Sequence, residues 1–246
     1  MEKYNAFLEK TFSPDGKEPF RPIHLYLMRI PFKACMTTNF DDCLEKAAEI
    51  IGVKGGIHIF PELNPVDLLQ GHIFHIHGKV QPVGTIILRR SDFHLAYEDS
   101  NSVRALLYTV FSYSAVLFVG YSLSDPDLMQ ILQAVDRERR VMAGEMERRG
   151  IGAMRPNRHY ALMPLHLRTG GDGAHEALER DEDRERIEEQ QFEKAGVSVL
   201  RYRPDGSDHP GLTRIIETLM QRTQQSPLVP LPTKWDLVLP PGASVL

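Results

Sequence analysis

Thr37, Thr38, Asn39, Asp41 and Asp42 crowd into one short run, Cys35-Met-Thr-Thr-Asn-Phe-Asp-Asp42, directly ahead of a segment of helical character, Cys43–Ile51. Short polar side chains at a strand-to-helix junction suit a ligand, because the N–H groups of a helix start favour an anion or a ribose oxygen. Plain helix capping fits the same residues. Thr38, Asn39 or Asp42 could serve as the cap, with Glu45 completing a capping box from Asp42.

A second run, Gly71-His-Ile-Phe-His-Ile-His-Gly78, holds three of the 10 histidines. On a strand His75 and His77 share one face and His72 takes the other. No further ligand stands nearby in a recognised zinc spacing, and Lys79 sits where a carboxylate would help, so no metal is expected. His77 precedes Gly78 at a strand end, where backbone can let a ligand approach. An imidazole there titrates near neutrality and can act as general base, worth roughly 10²–10⁴ in rate. A hydrogen-bonded structural histidine is the alternative.

The third run is Phe118-Val-Gly-Tyr-Ser-Leu-Ser-Asp-Pro-Asp127. Asp125 reads as a helix cap with Pro126 at the first helical position. Gly120 and Ser122 have no such explanation, and a glycine at the carboxyl end of a strand admits a ribose or phosphate. The chain contains neither Gly-x-x-x-x-Gly-Lys-[Ser/Thr] nor Gly-x-Gly-x-x-Gly, and no Gly-x-Ser-x-Gly elbow.

The elements that must carry these residues alternate in type. Strand character marks Ala34–Thr38, Ile57–Phe60, Ile73–His77, Thr85–Leu88, Ala115–Gly120, His159–Met163 and Val197–Tyr202. Helical spacing of apolar residues appears at Val103, Leu106, Leu107 and Val110, again at Leu128, Ile131, Leu132 and Val135, and again at Leu212, Ile215, Ile216 and Leu219. The strand at 115–119 is apolar on both faces, which requires helices on each side. The expected fold is therefore α/β, a Rossmann-like and mostly parallel sheet with helices on both faces. Asp136–Arg149 and Glu176–Glu189 are dense in charge and read as solvated helical faces, with Arg168-Thr-Gly-Gly-Asp-Gly-Ala174 as a loop between them. Residues 1–223 are expected to form one domain and 224–246 a Pro-rich extended tail.

Composition narrows the class. The chain has 246 residues, 42% hydrophobic and 25% charged, with a formal net charge of −4. That excludes collagen-like, coiled-coil and wholly disordered chains. No apolar run reaches the roughly 18 residues of a membrane span, and Met1-Glu2-Lys3-Tyr4 opens no signal peptide, so a cytoplasmic protein without membrane contact is expected. The acidic balance offers nucleic acid no general attraction. Cys35 and Cys43, the 2 cysteines, cannot build a zinc ribbon or a disulfide framework.

Together, Thr37-Thr-Asn-Phe-Asp41, His75-Ile-His-Gly78 and Phe118-Val-Gly-Tyr-Ser-Leu-Ser-Asp-Pro126 resemble the sirtuin-like superfamily in order and approximate spacing, specifically its prokaryotic antiphage-defence branch. Arg158-His-Tyr-Ala-Leu and Gly196-Val-Ser-Val-Leu-Arg-Tyr202 look like that branch's late strands. The resemblance implies an NAD-binding domain that cleaves the nicotinamide–ribose bond, with NAD as substrate and no metal. It implies that Asn39 and His77 are catalytic, and that Thr38, Asp41, Gly120 and Ser122 bind the dinucleotide. The missing ribbon argues against protein deacylation and for NAD hydrolysis. NAD or ADP-ribose, a second copy of the chain and a companion defence protein are the partners it suggests. Family members also carry a first strand and a Gly-Ala-Gly-type loop upstream, whereas residues 1–33 here read as helix, Pro-Gly loop and helix. Three readings follow: a fragment or mis-called start, a unit supplied by a companion polypeptide, or a degenerate nucleotide-sensing or assembly module.

Overall fold

Strands that are apolar without alternation should lie in parallel ladders, and the six principal strands do. The computed structural model describes residues 7, 20–81, 85–97, 102–123, 125–150, 158–170, 177–204 and 209–225. In chain order its elements are α1 (Pro22–Arg29), β1 (Cys35–Thr37), α2 (Cys43–Ile51), β2 (Ile57–Ile59), β3 (Ile73–His75), α3 (Arg90–Tyr97) and α4 (Ser102–Tyr113). There follow β4 (Leu117–Val119), α5 (Pro126–Arg148), β5 (His159–Pro164), β6 (Leu167–Gly170), β7 (Ala177–Arg180), α6 (Glu182–Glu193), β8 (Val197–Tyr202) and α7 (Pro210–Gln225). The described residues up to Leu107, with those from Pro210 onward, form one compact unit; Tyr108–His209 form a second. None of the described helices is long and apolar enough to cross a membrane.

In the first unit the strand order is β1-β3-β2, all parallel, with Thr37 opposite His75 and Ile59 opposite His75 on the other side. β3 is central and its three residues are buried, as a strand with a ladder on each side must be. Met28 of α1, Ala47 and Ala48 of α2 and Ile73 of β3 form a buried cluster with Leu25, Cys35, Leu44 and Ile51 packed against it. Small alanines on α2 allow the helix to come close to the strand layer.

The second unit repeats the architecture with the order β4-β5-β8, again parallel, and adds the antiparallel hairpin β6-β7. Leu128, Ile131, Leu132 and Val135 are the buried residues of α5, the same four that the helical spacing selected. Beyond them α5 runs on as a charged helix laced by Arg140–Asp136, Arg148–Glu145 and Arg149–Glu145 pairs. The fold class is thus α/β with parallel sheets, as expected, but the ladders form two three-stranded sheets. Among the described residues β1 is bonded only toward β3, and β4 only toward β5.

Four segments differ from expectation. Thr85–Leu88 is not a strand: its hydrogen bonds go to the irregular residues after β3, with Ile87 N–H donating to the His77 carbonyl at 2.9 Å and the Thr85 hydroxyl donating to the Lys79 carbonyl at 3.0 Å. Within Glu176–Glu189, Ala177–Arg180 is strand rather than helix, because it pairs with Leu167–Gly170. The helix begins only where Asp181 accepts the Arg184 N–H at 3.2 Å. Of the expected loop, 168–170 belong to β6 and 171–174 lie outside the described residues. Of the expected tail, Gln224 and Gln225 end α7, and 226–246 lie outside the described residues.

Candidate functional site

The β1–α2 junction is held from two directions. Locally, Thr37 Oγ1 accepts the Asn39 N–H at 3.0 Å, and Asp41 Oδ1 accepts the Cys43 N–H at 3.0 Å. These side-chain turns shape the loop as Thr and Asp do wherever backbone leaves a strand. From β3 and the residues after it come three more bonds. Ile76 N–H donates to the Thr37 carbonyl at 3.0 Å, His75 Nδ1 to the Asn39 carbonyl at 3.2 Å, and Val80 N–H to the Phe40 carbonyl at 3.1 Å. The Thr37–Asp41 and His75–Gly78 motifs therefore lie side by side in the first unit.

At this junction the Asn39 side chain stands outward. Asn39 is exposed, and its carboxamide makes no hydrogen bond among the described residues, although both its peptide groups are tied down. Thr38 and Asp41 are half-buried beside it. Asp42 stands at the N-cap position, but its side chain does not cap; it pairs instead with Lys46 at 3.0 Å. The capping box with Glu45 does not form, because Glu45 turns the other way. Glu45 Oε1 accepts from His75 Nε2 at 2.8 Å and from Lys79 Nζ at 2.6 Å. Burial by itself would raise this carboxyl, yet the bonds from His75 and Lys79 outweigh it and hold it at about 2.

His75 is 0% exposed and His77 6% exposed. His77 Nε2 shares a 2.8 Å hydrogen bond with the Tyr97 hydroxyl, and its ring meets Phe93 and Tyr97 of α3 edge-on. Gly78 has φ +82, and a Cβ there would run into the Thr85 carbonyl. The chain's own backbone, rather than a ligand, uses the space that the glycine leaves.

His72, on the far face, pairs with His58 at 2.9 Å, and His58 stacks on Phe74. Among the described residues no group of three or more His, Cys, Asp or Glu is placed to hold a metal ion. Both cysteines are free thiols; burial pushes Cys35 up to about 11, and burial with the Asp41 hydrogen bond pushes Cys43 up to about 12. Both are therefore neutral thiols near pH 7, poor nucleophiles.

Gly120 and Ser122 lie in the second unit, in the β4–α5 loop, and both are exposed. Gly120 has φ +63, and a Cβ there would meet nothing among the described residues within 4 Å, so its glycine answers to backbone conformation and leaves the surface open. Leu123, buried, also takes a left-handed φ of 53. Asp125 Oδ1 caps α5 through the Asp127 and Leu128 N–H groups at 3.0 and 3.3 Å. The Tyr121 hydroxyl is buried beside Asp125, without an aligned bond; burial and that carboxylate raise it above the usual phenol range.

Sequence reading singled out Asn39 and His77 but gave no role to His75 and assigned Glu45 only a capping one. A signal was present: Glu45 lies three residues into an amphipathic helix, and His75 opens the His-x-His-Gly motif. Only the fold shows that the two meet.

A family profile described as a SIR2-like domain matches residues 33–199. The NAD(+) hydrolase ThsA of Cytobacillus dafuensis is 23% identical over 215 residues, covering 84% of this chain and 40% of that protein. The NAD(+) hydrolase ThsA of Enterococcus faecium is 28% identical over 118 residues, covering 46% of this chain and 24% of that protein. The chain thus spans less than half the length of either relative.

Proposed function

The chain belongs to the SIR2-like domain family, and on that premise we propose that it is the NAD-binding part of a hydrolase that splits the nicotinamide–ribose bond. One observation carries the reading: the exposed Asn39 carboxamide stands on a backbone locked at both of its peptide groups. The names of the two relatives, both NAD(+) hydrolases, point to the same chemistry.

In the reaction the C1′–N bond breaks and its electron pair returns to the pyridinium ring, releasing neutral nicotinamide. Water adds to C1′, loses one proton, and completes ADP-ribose. Nicotinamide is already a good leaving group, so the protein contributes mainly placement and stabilisation of the developing oxocarbenium centre. Asn39 holds the nicotinamide ribose, with Thr38 and Asp41 beside it on the nicotinamide side. His77 takes the proton from a ribose hydroxyl or from water. Gly120 and Ser122 bind the adenosine side. A defence effector working in the cytoplasm, alone or with a companion protein, is the biological setting we infer.

The test is to incubate the full chain with NAD and quantify nicotinamide and ADP-ribose, beside Asn39→Ala and His77→Ala. Turnover lowered by roughly 10²-fold or more in each variant is expected. Equal turnover in all three would overturn these assignments.

A second reading, a nucleotide-binding module without hydrolysis, is favoured by one observation: the His77 Nε2 is already engaged by Tyr97 in a buried setting. Calorimetry separates the two. NAD binding without nicotinamide release supports the module, and detectable release excludes it.

A further inference from the structure

Building on the reading of Asn39 as the ribose-holding residue, we propose that Glu45 and His75 are positioning residues that aim the Asn39 carboxamide through its own backbone. The path is short and continuous. Glu45 Oε1 accepts from His75 Nε2, and His75 Nδ1 donates to the Asn39 carbonyl. Thr37 Oγ1 holds the N–H on the other side of the same residue. With both flanking peptide planes fixed, the Cα–Cβ direction of Asn39 is fixed as well, and only its side-chain torsions remain.

The ring of His75 carries a second constraint. A carbonyl and a carboxylate only accept, so the ring is held between two acceptors. The ring is fully buried, and the Lys79 ammonium is bonded to the same Glu45 oxygen. One carboxylate oxygen thus serves two neighbours, while Glu45 Oε2 is buried with no hydrogen-bond partner among the described residues. Removing the negative charge weakens the bonds that both neighbours make to that oxygen. The ring is then held less firmly, and the Asn39 carbonyl loses its partner in part of the population. His75 and Glu45 act here through Asn39, not on substrate.

The experiment uses the full chain, Glu45→Gln and Glu45→Asp, with two independent readouts. The first is the backbone and side-chain amide resonances of Asn39 by NMR, which needs no turnover. The second is nicotinamide release, resolved into kcat and KM. Glu45→Gln is expected to shift the Asn39 resonances and to lower kcat about ten- to a hundredfold with KM changed less than about threefold, the pattern of a misaimed group. Glu45→Asp, which restores the charge, is expected to recover part of both. Unmoved Asn39 resonances in folded Glu45→Gln overturn the proposal, as does a lower melting temperature with kcat unchanged. Should Glu45→Gln not fold, the Asn39 resonances and kcat of Glu45→Asp decide, and wild-type values there overturn it. If the parent chain releases no nicotinamide, the hydrolase reading falls, and the Asn39 resonances alone decide the positioning role.

Discussion

His75 and His159 are both buried in parallel sheets, one in each unit, and their surroundings treat them in opposite ways. His75 faces two acceptors, the Glu45 carboxylate and the Asn39 carbonyl. His159 Nδ1 instead accepts the Val116 N–H at 3.2 Å, its ring packs edge-on against Phe111, and burial with the Arg139 cation lowers it to about 4. His159 is therefore a neutral packing residue that closes the β4–β5 ladder, while His75 is a member of a polar path ending at an exposed side chain. The identity of a buried histidine says little about its role; the hydrogen-bonding character of its two partners says most of it.

That contrast can be attacked at its supports. The His75 side depends on the chain passing under Thr85 at Gly78, so Gly78→Ala, with φ +82 and the Thr85 carbonyl in the way, is expected to cost more than about 3 kcal/mol. Urea unfolding would measure it, and a loss under about 1 kcal/mol would mean that the Thr85–Leu88 segment adjusts freely.

The two regions should also separate by pH. In the unfolded chain His159 takes a proton below about 6.5, but in the folded protein only near 4. Stability is then complete above that upper value and declines as the pH falls through the window, by about 3 kcal/mol in all. Glu45 behaves in the opposite chemical sense but loses stability in the same direction: depressed to about 2 when folded, it contributes fully above its unfolded value near 4.5 and loses that contribution as pH drops toward 2. Denaturation between pH 7 and pH 3 should show the upper window flattened in His159→Asn and the lower one flattened in Glu45→Gln. Interchanged effects would reverse the comparison.

The smallest difference concerns the two helix starts. Asp125→Ala removes a real cap from α5 and should cost about 1 kcal/mol. Asp42→Ala removes only a surface pair with Lys46 at α2 and should cost less than about 0.5 kcal/mol. Thermal melting of both variants checks the order.

Much of this was legible in the chain. The apolar run at 115–119 announced a strand covered on both faces, and Asp125-Pro126 announced the start of α5, because such patterns act within a few residues. Thr85–Leu88 and Ala177–Arg180 were misread for the converse reason. Each has a local composition that suits more than one state, and what decided was the partner available: His77 and Lys79 for the first, Leu167–Gly170 for the second. The capping box at Asp42 was sound as local chemistry and lost to the bonds Glu45 makes with His75 and the Lys79 ammonium.

The sequence by itself determined the kinds of elements, their order, and which polar side chains stand at strand ends, since periodicity, turn residues and caps are local. Tertiary structure alone decided what those side chains do. The bonds from Glu45 to His75, from His75 to Asn39 and from Val116 to His159 join residues 30, 36 and 43 positions apart. Strand pairing brings the last two pairs together and α2 lying against the β1–β3 ladder the first, and no rule of spacing reaches that far.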